Sequence, residues 1–409
     1  MASNGVRDTV VPQEKKSLIL NAFVEMCSGH QSPGLWRHPK DQSANFNDID
    51  HWVNLAKLLE SAKFHGIFIA DVLGYLDSAA RNLGHTEQPK DDNRYEVAEE
   101  YMQVMYKLFE SSWRDDAVVK DAEKGMFSVP DRIREINHVG KFYNVPGPHI
   151  CQPSPQRTPL LMQAGTSKAG KTFAAQHAEA VFVAGHSPSV VAANIAEIRE
   201  MASSQFGRDS QSIKFLAMFC PVLGKTESEA KEKYDDYIQY GSTEGALALF
   251  GGWTGIDLAK YGDDEELRHV ESNAIRSAVE AWSKSSPGVD KWTKHTIARH
   301  ISVGGLGATP VGTPAQIADE MQRRVDEADI DGFNMPYAIF PSSFEDIVQM
   351  LVPELQSRGM FWDDYAVPGG TYRENFYKRK GQNVTLPEHV ASAYRWKAGV
   401  DKDEHSIPS

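Results

Sequence analysis

Six short apolar runs, beginning at Ser17, Gly66, Pro159, Ala180, Ile213 and Gly332, alternate with stretches whose apolar residues recur at helical spacing. That alternation predicts a parallel sheet covered by helices, an α/β protein. The helical stretches are 49–63, 96–113, 168–178, 189–201, parts of 226–240 and 266–283, 313–328 and 344–358. In the first of them Trp52, Leu55, Ala56 and Leu59 mark one face. At 409 residues the chain has room for two average domains or one large α/β barrel. No repeat or linker divides it, so we expect a tail over 1–16, one domain over 17–358 and an irregular arm over 359–409. A closed (β/α)8 barrel takes eight strands. The stretch 72–158 holds one strong helix and no convincing buried strand, which leaves the count two short.

One segment, Gln163-Ala-Gly-Thr-Ser-Lys-Ala-Gly-Lys-Thr172, carries the clearest chemical signal. The apolar Pro159-Leu-Leu-Met162 leads into it and the helix-like Phe173-Ala-Ala-Gln-His-Ala-Glu179 follows. A strand that turns through glycines into a helix start offers free backbone N–H groups and a positive dipole end to an anion. Thr166 and Ser167 add hydroxyls, so a phosphorylated cofactor or nucleotide is the expected ligand. The same residues fit the P-loop pattern of NTPases through Gly165, Gly170, Lys171 and Thr172. A P-loop enzyme also needs a later apolar strand ending in Asp to hold Mg²⁺. Neither Ala180-Val-Phe-Val-Ala184 nor the run ending at Cys220 supplies one, and the strand ending in Asp71 lies upstream. The NTPase reading is the weaker one.

A net charge of -13 argues against nucleic acid or an anionic membrane as partner. Cys27, Cys151 and Cys220 lie far apart and without metal-ligand spacing, which indicates a reducing compartment, no disulfide framework and no metal site. No apolar run reaches membrane length and the first 15 residues are polar, so a cytoplasmic protein is expected.

In a parallel barrel, functional groups gather where strands end. Those positions are Asp71, the loop from Gln163 to Ser167, Gly185-His186, Cys220 and Asn334-Met-Pro-Tyr337. The first strand leads into Glu25-Met-Cys-Ser-Gly-His30, which puts a thiol and an imidazole three residues apart. Cys27 and His30 suit a packed thiol beside a turn histidine as well as a nucleophile–base pair, for which no third, orienting group is visible. Asp71 suits a helix cap or an acceptor for a cofactor ring. His177 and Glu179 flank a helix end and read as structural.

Several segments in order resemble the flavin-dependent monooxygenases related to bacterial luciferase. They are Asn21-Ala-Phe-Val-Glu-Met-Cys-Ser-Gly-His30, Gly34-Leu-Trp-Arg-His-Pro39, Phe64-His-Gly-Ile-Phe-Ile-Ala-Asp71 and Ala80-Arg-Asn-Leu-Gly84. Arg94-Tyr95, Gln163-Ala-Gly-Thr-Ser167, Gly312-Thr-Pro314, Asp331-Gly-Phe-Asn334 and Thr371-Tyr-Arg-Glu374 continue the series almost to the C-terminus. The branch resembled is that of nitrilotriacetate, dibenzothiophene-sulfone and long-chain alkane monooxygenases. The resemblance implies a TIM-type barrel of the bacterial-luciferase kind and reduced FMN supplied by a separate NAD(P)H-dependent flavin reductase. It further implies a C4a-peroxyflavin formed with O₂, transfer of one oxygen atom to a small organic substrate, and a homodimer. By position, Asp71 matches an acid near the flavin ring, Tyr95 a residue near the flavin phosphate, and Thr166 and Ser167 the phosphate loop. Cys27 and His30 match residues on the substrate side and become the candidate catalytic pair.

There is one large departure. The family carries its third and fourth strands between the Asp71 motif and the Ala80 motif, whereas here Gly74 joins Tyr75 directly. About two βα units are missing, on the order of 60–80 residues. In addition, Asp91 stands where the family has a histidine, a carboxylate that would repel a phosphate. The expected fold is therefore an incomplete barrel of six core strands. The alternative function is a catalytically inactive binding or assembly partner.

Overall fold

A computed structural model describes residues 16–70, 81–82, 84–86, 91–165, 167–183, 188–254, 256–267, 279, 289–402 and 404–408. Its centre is one six-stranded parallel sheet. We number its strands β1 (Ile19–Glu25), β2 (Gly66–Ala70), β3 (Met162–Ala164), β4 (Ala180–Val183), β5 (Lys214–Met218) and β6 (Gly332–Met335). Their order across the sheet is β2-β1-β6-β5-β4-β3. All six coincide with the apolar runs expected from the sequence. The order is that of a (β/α) barrel interrupted between β2 and β3, where the two βα units are missing.

The register of β1 shows why the sheet curls around an interior. Leu18, Leu20, Ala22 and Val24 pack outward with Leu55 and Leu59 of the helix Ile49–Ser61. Ile19 faces the other way, with Ala180, Leu216 and Phe376. Both faces are therefore covered, and all seven residues of β1 are buried. Cross-strand pairing carries the same alternation along: Asn21 lies opposite Asn334 and Gly66, and Phe23 opposite Phe68. The Phe68 ring meets Phe182 of β4 with centroids 4.4 Å apart, although three strands separate β2 from β4 in hydrogen-bonding order. The sheet is thus rolled far enough for its interior side chains to touch across it.

The outer helices form where the sequence caps them. Asp48 accepts from the Asp50 N–H at the start of Ile49–Ser61. Thr313 and Gln316 form a reciprocal capping box at the start of Pro314–Ala328, which ends at Asp329 in a left-handed conformation, φ 55°. The helix expected over 96–113 begins earlier, at Asp91, and runs to Tyr106 before a widened turn over Lys107–Ser111. The helix expected over 344–358 is divided by a widened turn, Ile347–Leu351, just before Pro353, whose ring nitrogen cannot continue the hydrogen-bond ladder. Helices Thr243–Thr254 and Lys294–Ile301 went unread in the sequence. Most of 266–283 lies outside the described residues.

The C-terminal segment plugs the N-terminal end of the interior with Tyr372, Phe376 and Tyr377. Arg373, fully buried, anchors it by donating to both carboxylate oxygens of Glu179 at 2.8 Å and to the Thr158 carbonyl at 2.9 Å. Among the described residues no helix is long and apolar enough to cross a membrane.

Candidate active site at the strand C-termini

The glycine segment builds a concave cradle. Strand β3 ends at Ala164, Gly165 adopts φ 126°, and Ser167 caps the helix Lys168–His177 by accepting from the Gly170 N–H at 3.2 Å. The amides of Lys168 and Ala169 open this helix ahead of any intrahelical acceptor. Helix Asp91–Tyr106 brings Tyr95 over the turn, where its hydroxyl accepts from the Gln163 side chain at 3.3 Å. A Cβ on Gly165 would stand 3.2 Å from that hydroxyl, and one on Gly170 only 2.7 Å from it. Two glycines are therefore needed for the tyrosine to sit here at all. Gln163 Oε1 is buried with no donor among the described residues.

Beneath the cradle the helix is fixed by a polar chain. The Tyr106 hydroxyl and His177 Nδ1 are 2.9 Å apart, and His177 Nε2 lies 2.7 Å from Glu99. His389 Nε2 meets the His177 carbonyl at 2.8 Å, tying in the C-terminal segment. Burial first, then the Arg208 charge, pushes the His389 imidazole down to about 4, so this histidine is neutral. His177 and Glu179 are thus structural, as expected. Lys171 pairs with Glu197 on the next helix, and the Thr172 hydroxyl donates to the Lys168 carbonyl. The two residues that completed the P-loop pattern face their own helix layer and not an anion.

At the same end of the sheet, β1 delivers a second group of residues. Glu25, the last residue of β1, shares the inward register of Asn21 and Phe23 and is 6% exposed. Its Oε1 has no hydrogen-bond partner among the described residues. Burial pushes its carboxyl up to about 8, with the facing Tyr337 hydroxyl pulling the other way. The Gly29 N–H donates to the Tyr337 hydroxyl at 3.4 Å, and the Ser32 hydroxyl donates to the Tyr337 carbonyl at 3.1 Å. Gly304 N–H donates to Ser32 at 3.1 Å, so the loop through Gly305 and Gly307 closes against this turn. Gln31 is 2% exposed, and among the described residues neither polar atom of its side chain has a partner. A Cβ on Gly305 would come within 2.4 Å of Gln31 Oε1.

Cys27 stands exposed at the rim, where partial burial and then Glu25 raise its thiol above the ordinary range and the His30 backbone pulls it back. Burial lowers the His30 imidazole, which favours its neutral form. Among the described residues no hydrogen bond joins the two side chains. The structure therefore groups Cys27 and His30 at one rim, and Tyr95 and Ser167 at the cradle. Asp71, Thr166 and His186 lie outside the described residues, as does the side chain of Asp91. Glu25 and Gln31 were missed as site residues, and Gln163 entered only as the start of the strand-end loop, without a role. Glu25 carried a signal: Asn21, Phe23 and Glu25 share the alternate positions of β1, and the polar residues of the strand, Asn21 and Glu25, both fall on that one face. Among the described residues no group of three His, Cys, Asp or Glu side chains could hold a metal ion.

The fold recurs in known proteins. Residues 77–331 match the family described as luciferase-like monooxygenase. The chain is 37% identical to dimethyl-sulfide monooxygenase of Hyphomicrobium sulfonivorans, over 93% of this chain and 94% of that protein. It is 36% identical to long-chain alkane monooxygenase of Geobacillus thermodenitrificans (strain NG80-2), over 93% of this chain and 98% of that one. The crystal structure of DmoA from Hyphomicrobium sulfonivorans superposes with a TM-score of 0.87, covering 96% of this chain and 99% of the other at 36% identity. The sulfide-monooxygenase alignment runs over 457 positions, of which 93% of these 409 residues fills about 380. The relatives thus carry on the order of 75 residues that this chain lacks, about two βα units. The chain belongs to the luciferase-like monooxygenase family.

Proposed function

We propose that this chain is an FMN-dependent monooxygenase that places one atom of O₂ on a small, largely apolar organic molecule, with reduced FMN delivered by a separate reductase. The observation that carries the proposal is the cradle: free amides at the Lys168–His177 helix start, with Tyr95 held over Gly165 and Gly170. Such a helix start favours a dianionic phosphate by hydrogen bonds and dipole together. The unanswered Gln163 Oε1 is an acceptor, which a hydroxyl-bearing chain between phosphate and ring would meet. Ser167 and Tyr95 would hold the phosphate end, and Asp71 would face the ring. Bound in reduced form, the flavin supplies the activation of O₂. The rim with Cys27 and His30 would orient the substrate and exclude water, both side chains being neutral at pH 7 on the directions of their shifts. A homodimer, as the resemblance implies, is the proposed assembly.

The test is a coupled assay: NADH, an FMN reductase, ¹⁸O₂ and either a dialkyl sulfide or an alkane. Product carrying a single ¹⁸O supports the proposal. Flavin-independent background alone, with saturable FMN binding absent, contradicts it. A second reading, a family member without turnover, is favoured by the exposed Ile67 and Ile69 on β2, at 36% and 46%, where the relatives' additional units would pack. Saturable FMN binding without product would select that reading.

A further inference from the structure

The proposed flavin site leaves Glu25 unused. Its position is unusual for a carboxyl group: last residue of a strand buried on both faces, inward in register, and, among the described residues, without a cation or hydrogen-bond donor on Oε1. Such a group, kept from water, stays protonated and so becomes a hydrogen-bond donor. Its influence reaches Cys27, Cys220 and Tyr337, whose own ionisations it raises, so these groups surround it. Tyr337 accepts from the Gly29 N–H and turns its own hydroxyl to the Glu25 carboxyl, which occupies one side of that group and leaves Oε1. Cys220 is fully buried and its thiol is pushed up to about 12, a group too weakly acidic to share the proton. Gln31, on the turn that follows β1, adds an amide whose two polar atoms have no partner among the described residues. Buried polar atoms without partners cost stability, and their concentration on one turn points to a ligand that satisfies them.

Resting on the oxygenase reading, we propose that Glu25 is a substrate-contacting residue that donates its carboxyl proton in a hydrogen bond to a heteroatom of the substrate, with Gln31 as a second polar contact. This sets the substrate class: an apolar molecule carrying one hydrogen-bond acceptor, such as an ether, ketone or nitrile, in preference to a plain alkane. A site built to pair with such an atom discriminates against analogues lacking it, because its own polar groups are then left unpaired.

The experiment uses the full chain without flavin and hexanenitrile as probe, read by its C≡N stretch in the infrared. In the wild type the bound nitrile band sits where a hydrogen-bonded nitrile absorbs. Glu25→Gln, which keeps a donor, retains the displaced band; Glu25→Met returns it to its position in hexane and weakens probe binding about tenfold. An unchanged band in Glu25→Met overturns the proposal. If Glu25→Met does not fold, the wild-type spectrum decides through the carboxylic-acid carbonyl band that is absent from Glu25→Gln. That band shifts when hexanenitrile binds, and a band that is missing at pH 7 or indifferent to the probe overturns the proposal. Titration of FMN into the same samples separates the two readings: lack of FMN binding removes the oxygenase reading and leaves the nitrile result to judge Glu25.

Discussion

The two sides of the sheet differ in how much of their surface is covered. On the continuous side, every residue of β1 and β6 is buried, and β5 is buried from Phe215 to Met218. At the interruption, β2 alternates partly buried with exposed residues and β3 has no fully buried one. Both sides use the same strand chemistry, short apolar runs feeding helices. The difference is what covers them: β1 meets the helix Ile49–Ser61, while the outward Ile67 and Ile69 of β2 stay exposed. A strand of this fold is stabilised by two layers of neighbours, and removing adjacent βα units leaves the remaining edges with one.

The contrast can be broken by paired substitutions. Phe333→Ala on β6, fully buried between sheet and helices, should cost about 4–5 kcal/mol in urea denaturation. Ile69→Ala on β2 should cost less than about 1 kcal/mol. Equal losses would mean that the β2 face is covered in solution.

Next in size is the anchor that closes the interior near the interruption. Arg373→Met strands Glu179 as a buried, unpaired carboxylate and should cost about 3–4 kcal/mol. Adding Glu179→Gln should recover part of that loss, measured as a double-mutant cycle. No recovery would show that the arm is held by packing alone.

A smaller effect distinguishes the rim at β1. The native Glu25 carboxyl keeps its proton to about pH 8, whereas the unfolded chain loses it near 4.5. Unfolding therefore releases a proton within that window, and stability falls as pH rises through it and levels above pH 8. Between pH 6 and 8 the decline should be about 2–3 kcal/mol, and Glu25→Gln should flatten it. Identical pH profiles for both proteins would place Glu25 in contact with water.

Much of this architecture was legible because it is local. Each of the six strands is an apolar run bounded by turn residues, and the cradle is a contiguous strand–glycine–helix segment. The missing units showed as a stretch too poor in apolar runs. What stayed hidden depends on tertiary context. Helix Thr243–Thr254 carries Gly245, Gly251 and Gly252, which lower its intrinsic propensity, and it forms because Phe250 packs with Trp292 and Ile297 in a core of its own. Arg373 and Glu179 are 194 positions apart, and nothing local predicts their pairing. Glu25 lay within a quoted motif, but its meaning depends on a register that becomes visible only once β1 is paired with its neighbours.

The central claim is that the amides opening the Lys168–His177 helix, with Tyr95 above them, hold the phosphate of a flavin. It is tested most directly by titrating FMN and riboflavin, identical but for the phosphate, into the purified chain and following flavin fluorescence. Saturable binding of FMN at least about tenfold tighter than riboflavin is predicted, a difference of about 1.4 kcal/mol, and Gly170→Ala, which pushes a methyl group toward Tyr95, should erase it. Equal affinities for the two flavins, or no binding of either, would contradict the account.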